Sequence, residues 1–137
     1  MQEKSIGANL PPVLALAFLG DARHSLFIRK MLVDRGIAKS GELNTLAQKF
    51  VTAEAQAEAF VRIEGHLTED ELGVFRRAFN STHLNKPKRA SGKDYRTATG
   101  FEAVLGALSY AGEEERLSTL LDTLHQDEFN EKEEHPT

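Results

Sequence analysis

Two acidic residues stand where acids are costly to ionise. Asp21 ends the apolar run of Val13 to Leu19, within Ala17-Phe18-Leu19-Gly20-Asp21-Ala22. Apolar spacing resumes at Leu26, Phe27, Ile28, Met31 and Leu32, so the stretch reads as one helix buried on most sides. Glu102 lies in Gly100-Phe101-Glu102-Ala103-Val104-Leu105-Gly106, beside an apolar face of Phe101, Val104, Leu105 and Leu108. A carboxylate in such surroundings must meet a cation, cap another element or bind a metal. A structural ion pair with Arg23, Arg77 or Arg96 is the plain alternative. Mg²⁺ is the ion such a pair suits, because it takes oxygen ligands, keeps several waters and needs only one or two protein carboxylates. With substrate phosphates completing its sphere, it orients a water for in-line attack at phosphorus.

A second feature points the same way. Between Arg76 and Arg96 seven basic residues (Arg76, Arg77, Lys86, Lys88, Arg89, Lys93, Arg96) face Asp94 alone, a net +6. The whole chain carries −4, so the remainder carries −10. A basic segment on an acidic protein attracts phosphate backbones, membranes or acidic partners. Contacts of that kind give affinity and salt dependence, with little choice of sequence.

The elements that must position these groups follow from apolar periodicity. Pro11-Pro12 start a helix running to about Arg35, with Gly36 as its cap. Gly20 inside it costs roughly 1 kcal/mol relative to alanine, which implies close approach of another helix. Ser40 opens a second helix with Leu43, Leu46, Ala47 and Phe50, and Thr52 a third from Ala53 to Glu64. Thr68-Glu69-Asp70-Glu71 is a capping box for a fourth, ending near Asn80. The 13 residues from Ser81 to Lys93 lack apolar period and form a charged loop, long enough to be functional. A helix holding Glu102 and a last one from Glu113 to Leu124 complete an all-α fold of five to seven helices.

At 137 residues the chain is one domain: a lead at 1–10, a folded body at 11–125, and an acidic tail at 126–137 expected to be flexible. No apolar run is long enough to span a bilayer, and Met1-Gln2-Glu3-Lys4 lacks the pattern of a secretory signal. Zero cysteines exclude disulfides and thiolate metal sites, and the expectation is a cytoplasmic protein that contacts no membrane. Histidines 24, 66, 83, 125 and 135 show no ligand spacing and are expected at the surface or at helix caps. Phe75, Phe79 and Phe101 are expected as core or dimer contacts.

Three blocks then carry a family likeness. They are Leu14-Ala15-Leu16-Ala17-Phe18-Leu19-Gly20-Asp21-Ala22; Phe75-Arg76-Arg77 with Asn80; and Tyr95-Arg96-x-Ala98-Thr99-Gly100-Phe101-Glu102-Ala103-Val104-Leu105-Gly106. The chain resembles Mini-ribonuclease III, the catalytic domain of ribonuclease III without its double-stranded-RNA-binding domain, over about residues 11–124. The resemblance implies an all-helical, homodimeric endonuclease that cuts double-stranded RNA with Mg²⁺, or Mn²⁺ in its place, leaving 5′-phosphate and 3′-hydroxyl ends. Its implied substrate is the stem flanking precursor 23S ribosomal RNA. The family's metal-binding acids fall on Asp21 and Glu102. Its RNA-facing segments fall on Arg76, Arg77, Asn80, Lys86, Lys88, Arg89, Lys93 and Arg96. Two departures stand out. His24 and Ser25 replace the family's usual tyrosine and glutamate, the latter one helical turn from Asp21. Arg76-Arg77-Ala78-Phe79-Asn80-Ser81 has one arginine fewer than the family's Arg-Arg-Gly-Arg-Asn-Ala. Ala17 and Thr99 stand where full-length ribonuclease III has further acids, as in the Mini form. The alternative these departures raise is a catalytically weakened double-stranded-RNA-binding protein of the same fold.

Overall fold

A computed structural model describes residue 6 and residues 9–81 and 92–126. The expected RNA-contacting residues Lys86, Lys88 and Arg89 and the acidic tail from 127 onward lie outside the described residues. The described residues form six α-helices and no strand: α1 (Val13–Asp34), α2 (Ser40–Val51), α3 (Ala53–Ile63), α4 (Glu69–Ser81), α5 (Gly92–Tyr110) and α6 (Glu114–Leu124). A 3₁₀ turn at Glu64–His66 joins α3 to α4. Boundaries fall within a residue or two of those read from the sequence, for local reasons. Gly36 and Gly112 end α1 and α5 in the left-handed region, at φ +86° and +78°. Thr52 Oγ1 accepts from Ala55 N–H at 3.1 Å to start α3. At α4 the capping box closes both ways: Thr68 N–H donates to Glu71 Oε1 at 2.9 Å, and Glu71 N–H to Thr68 Oγ1 at 3.1 Å.

Helix α5 is the axis of the molecule, with α1, α3, α4 and α6 packed against it. From Thr97 to Leu108 its burial is broken only at Glu102. Phe101, Val104, Leu105 and Leu108 are at most 2% exposed. Each such side chain contributes roughly 2 kcal/mol by leaving water. Ile6, from the N-terminal lead, joins this core. A second, smaller core forms where Ile28, Met31 and Leu32 of α1 meet Leu43, Leu46, Ala47 and Phe50 of α2. Phe60 of α3 and Phe75 of α4 stack with ring centroids 4.0 Å apart. Gly100 of α5 lies against the Phe75 ring, where a Cβ would collide with it.

One expectation is corrected. Helix α1 is buried along one face only, through Leu16, Ala17, Gly20, His24, Ile28, Met31 and Leu32. Leu14, Phe18 and Leu26 are exposed, and so is Asp21. The continuous apolar run therefore marks two different faces, and Asp21 sits on the outer edge of the packed one.

The crossing of α1 over α5 is closer than side chains allow. A Cβ at Gly20 would overlap the carbonyl oxygen of Glu102, and a Cβ at Gly106 would overlap that of Leu16. Backbone touches backbone at both points. Gly20→Ala is expected to force the helices apart at a cost of about 3 kcal/mol or more. Gly73, on α4, meets only the end of the Arg77 side chain at ordinary contact distance. Gly73→Ala is expected to stabilise by about 1 kcal/mol through helix propensity. Urea unfolding of the two variants measures both signs.

Candidate active site

The glycine crossing places the two sequence-predicted acids side by side. Asp21 directly follows Gly20 on α1, and Glu102 is the residue whose carbonyl Gly20 touches on α5. Their carboxyl groups share a hydrogen bond. Glu102 is half-buried and Asp21 exposed, so the pair opens to solvent from the α1 side. Burial, with the hydrogen bond to Asp21 adding to it, pushes Glu102 up to about 8, against the opposing effect of the Gln56 amide. Glu102 therefore keeps a proton at neutral pH, which the pair uses to avoid the repulsion of two adjacent negative charges. Two carboxyls held this way are a donor set that a hard divalent cation fits, since it replaces that proton and relieves the repulsion. The described residues contain no group of three or more His, Cys, Asp or Glu able to hold a metal. Any cation here would complete its sphere with water and substrate oxygens.

The ion-pair alternative involving Arg23 is not realised. Arg23 turns to Glu114, with Nη1 donating to Oε2 at 2.8 Å, and also donates to Ser109 Oγ at 2.8 Å. That bridge ties α1 to α6 and leaves the acids to each other.

Behind Glu102 lies a polar chain that sequence reading missed. Gln56 of α3, 2% exposed, donates from Nε2 to Glu102 Oε2 at 3.1 Å. The same nitrogen lies 3.3 Å from Nδ1 of His24, a fully buried side chain. His24 Nε2 is 3.1 Å from Nε2 of His125, just past the end of α6. Aromatic rings enclose the pair: His24 meets the Phe101 edge at 5.2 Å, and His125 stacks on Phe27 at 5.5 Å. The expectation that the histidines stand at the surface or at helix caps thus fails for His24, whereas His125 holds the C-cap position of α6 with its side chain buried. The expectation holds for exposed His66, while His83 and His135 lie outside the described residues. His24 fills the place of the family's tyrosine and is buried on the packed face of α1. The available signal was its phase: position 24 falls four residues after Gly20 and four before Ile28, on that same face.

The expected RNA contacts divide by helix. Arg76, Arg77 and Asn80 are exposed on α4, with Arg76 Nη2 3.9 Å from Glu69 at the helix start. Lys93 is exposed in the first turn of α5, and the Arg96 guanidinium lies over the Phe79 ring, 4.9 Å from its centroid. From the helix rise, Arg96 and Lys93 stand about 9 and 14 Å along α5 from Glu102.

Residues 14–113 match the Ribonuclease III domain family, and the chain belongs to that family. Its relatives are of the short type. The Mini-ribonuclease 3 of Brevibacillus brevis is 38% identical over 120 residues, 88% of this chain and 90% of that one. The Mini-ribonuclease 3 of Symbiobacterium thermophilum is 43% identical over 113 residues, 82% of this chain and 86% of that one. A crystal structure of a Fusobacterium nucleatum protein matches with TM-score 0.77 at 30% identity, covering 85% of this chain and 93% of that one.

Burial lowers His24 to about 3, with His125 adding and the charge of Asp21 opposing. Burial lowers His125 to about 4, with the charge of Arg62 adding. The unfolded chain takes up protons below about 6.5 that the folded chain refuses, so both histidines stabilise at neutral pH and that contribution is lost as pH falls toward 4. Glu102, raised to about 8, acts in the opposite sense over its own range. The variant His125→Phe isolates one histidine. Its stability deficit relative to the parent should shrink by about 1.4 kcal/mol per pH unit between about pH 6 and 4.5. Urea unfolding at pH 7.5, 6, 5 and 4.5 measures this, and a deficit independent of pH contradicts the buried neutral pair.

Proposed function

We propose that this ribonuclease III-type endoribonuclease cuts double-stranded RNA at a Mg²⁺ site held by Asp21 and Glu102. The observation that carries the reading is the meeting of two acids 81 residues apart at a backbone-to-backbone helix crossing. When bound, the ion supplies an activated water for attack at phosphorus and neutralises charge on the phosphate. Asp21 and Glu102 fix its place, and Gln56 orients Glu102. Glu102 gives up its proton as the cation binds.

Arg76, Arg77 and Asn80 on α4, with Lys93 and Arg96 on α5, carry the phosphate backbone past the acids. Lys86, Lys88 and Arg89, between these helices in the sequence and outside the described residues, are proposed as further phosphate contacts. Duplex RNA is read mostly by shape and 2′-hydroxyls across its shallow groove, which suits a positively charged edge. The substrate we propose is the stem that flanks precursor 23S ribosomal RNA, cut in the cytoplasm.

Cutting both strands of a duplex requires two sites, and one chain offers one. The outer face of α1 supplies the means of pairing. Phe18 is 82% exposed and Leu26 60%, on either side of Asp21 along the helix. A homodimer that buries these side chains would set two acid pairs facing one duplex.

Long duplex RNA incubated with Mg²⁺ should be cleaved, with Mn²⁺ able to substitute, and Asp21→Asn should reduce cleavage at least about 1000-fold while duplex binding stays within a few-fold. Binding without cleavage by the parent protein in either ion would favour the catalytically weakened RNA-binding alternative, for which Ser25 in place of the family's acid speaks. Light scattering tests the dimer separately: Phe18→Asp should elute as a monomer and lose double-strand cleavage.

A further inference from the structure

The hydrogen bonds behind Glu102 run in one direction only. Gln56 presents its amide nitrogen to Glu102, Nε2 donating to the carboxyl oxygen Oε2 at 3.1 Å. That NH₂ has two hydrogens. One serves Glu102, and the other points to His24 Nδ1, which must accept. A neutral imidazole that accepts at Nδ1 carries its proton at Nε2, and it donates that proton to His125 Nε2. From Gln56 to His125 Nε2, each donor thus faces an acceptor. Reversing the Gln56 amide would set its carbonyl oxygen against the Glu102 carboxyl oxygen in place of a donor, and would require the other tautomer of His24.

We propose that Gln56 is a positioning residue for the metal-binding carboxyl of Glu102, and that the buried His24–His125 pair acts through Gln56 by holding its amide in the donating orientation. The inference rests on the metal-site reading given above. It gives His24 a role the family likeness did not suggest: at the position of the usual tyrosine stands a ring whose Nδ1 accepts from Gln56. Four helices converge on this chain of groups, with Glu102 from α5, Gln56 from α3, His24 from α1 and His125 at the end of α6. The rotamer of Glu102 is thereby tied to the whole bundle. Outer-shell partners of this kind typically change metal affinity about 10- to 100-fold when removed.

The test uses Mn²⁺ binding by the full chain without RNA, read from the EPR signal of the free ion, with thermal melting alongside. Gln56→Met keeps the length and volume of the side chain and removes its donors. It should weaken Mn²⁺ binding about tenfold. His24→Phe should weaken it about threefold, and the double variant should be no weaker than Gln56→Met alone, because His24 acts only through Gln56. Leu43→Ala, in the second core, reports the change due to lost stability alone. A Gln56→Met effect no larger than that of Leu43→Ala overturns the positioning role. Additive losses in the double variant overturn the route through Gln56. Asp21→Asn separates this from the reading beneath it. Binding lost in Asp21→Asn and unchanged in Gln56→Met overturns the positioning role only, whereas binding unchanged in both overturns the metal site as well.

Discussion

The approach of α1 to α5 without intervening side chains sets the geometry of everything else. Helices normally stand about 8–10 Å apart because side chains fill the space between them. Here Gly20 rests on the carbonyl of Glu102 and Gly106 on the carbonyl of Leu16. The two contacts lie one helical turn apart on each helix, so they fix both the distance and the sliding register of the pair. Asp21 and Glu102 leave the helices at the first of these contacts. Their short and medium-length side chains meet only because the backbones do. A conventional interface would separate the carboxyls and leave each to find a cation of its own.

Holding two acids together has a cost that the surroundings meet in different ways. Glu102 lies among apolar neighbours and retains its proton at neutral pH, whereas Asp21 lies toward water. The Gln56 amide favours the ionised form of Glu102 and opposes burial. The arrangement is thus poised, with one proton standing where a divalent ion would bring more charge and more ligands. Two arginines of the bundle are engaged with other acids. Arg23 is held by Glu114 and Ser109. Arg116 is held by Glu71 at 2.8 Å and by the His66 carbonyl at 2.6 Å. These bridges fasten α6 to α1 and α4, and they commit both guanidinium groups to acids other than Asp21 and Glu102.

Much of this is legible in the residues. The acids, the glycine inside α1, the Thr68–Glu71 capping box and the six helical periods all follow from local rules, and the family blocks bring Asp21 and Glu102 into one candidate site. What escapes reading depends on contacts between distant segments. Periodicity registers the apolar character of α1 but does not separate its packed face from an exposed one, because Phe18 and Leu26 are as apolar as Leu16 and Ile28. Gln56 sits in Ala53-Glu54-Ala55-Gln56-Ala57, where nothing local distinguishes a surface glutamine from a buried one. Ligand spacing is the wrong measure for His24 and His125, whose meaning lies in facing each other across 101 residues.

The histidine pair shows why a buried polar group in this fold need not weaken it. Each unpartnered buried donor or acceptor would cost about 1–3 kcal/mol. From Glu102 through Gln56 and His24 to His125 Nε2 that cost is avoided, because each junction joins one donor to one acceptor. The same directionality makes the histidines intolerant of protonation. A proton on His24 Nδ1 would confront the Gln56 amide with another donor, and a proton on His125 Nε2 would confront His24 Nε2 likewise. Burial and hydrogen-bond direction therefore push both imidazoles the same way, toward the neutral form. On the proposed metal-site reading, the proton displaced by a cation would leave from the Asp21–Glu102 pair, at the open edge of the bundle, while the buried imidazoles behind it stay neutral.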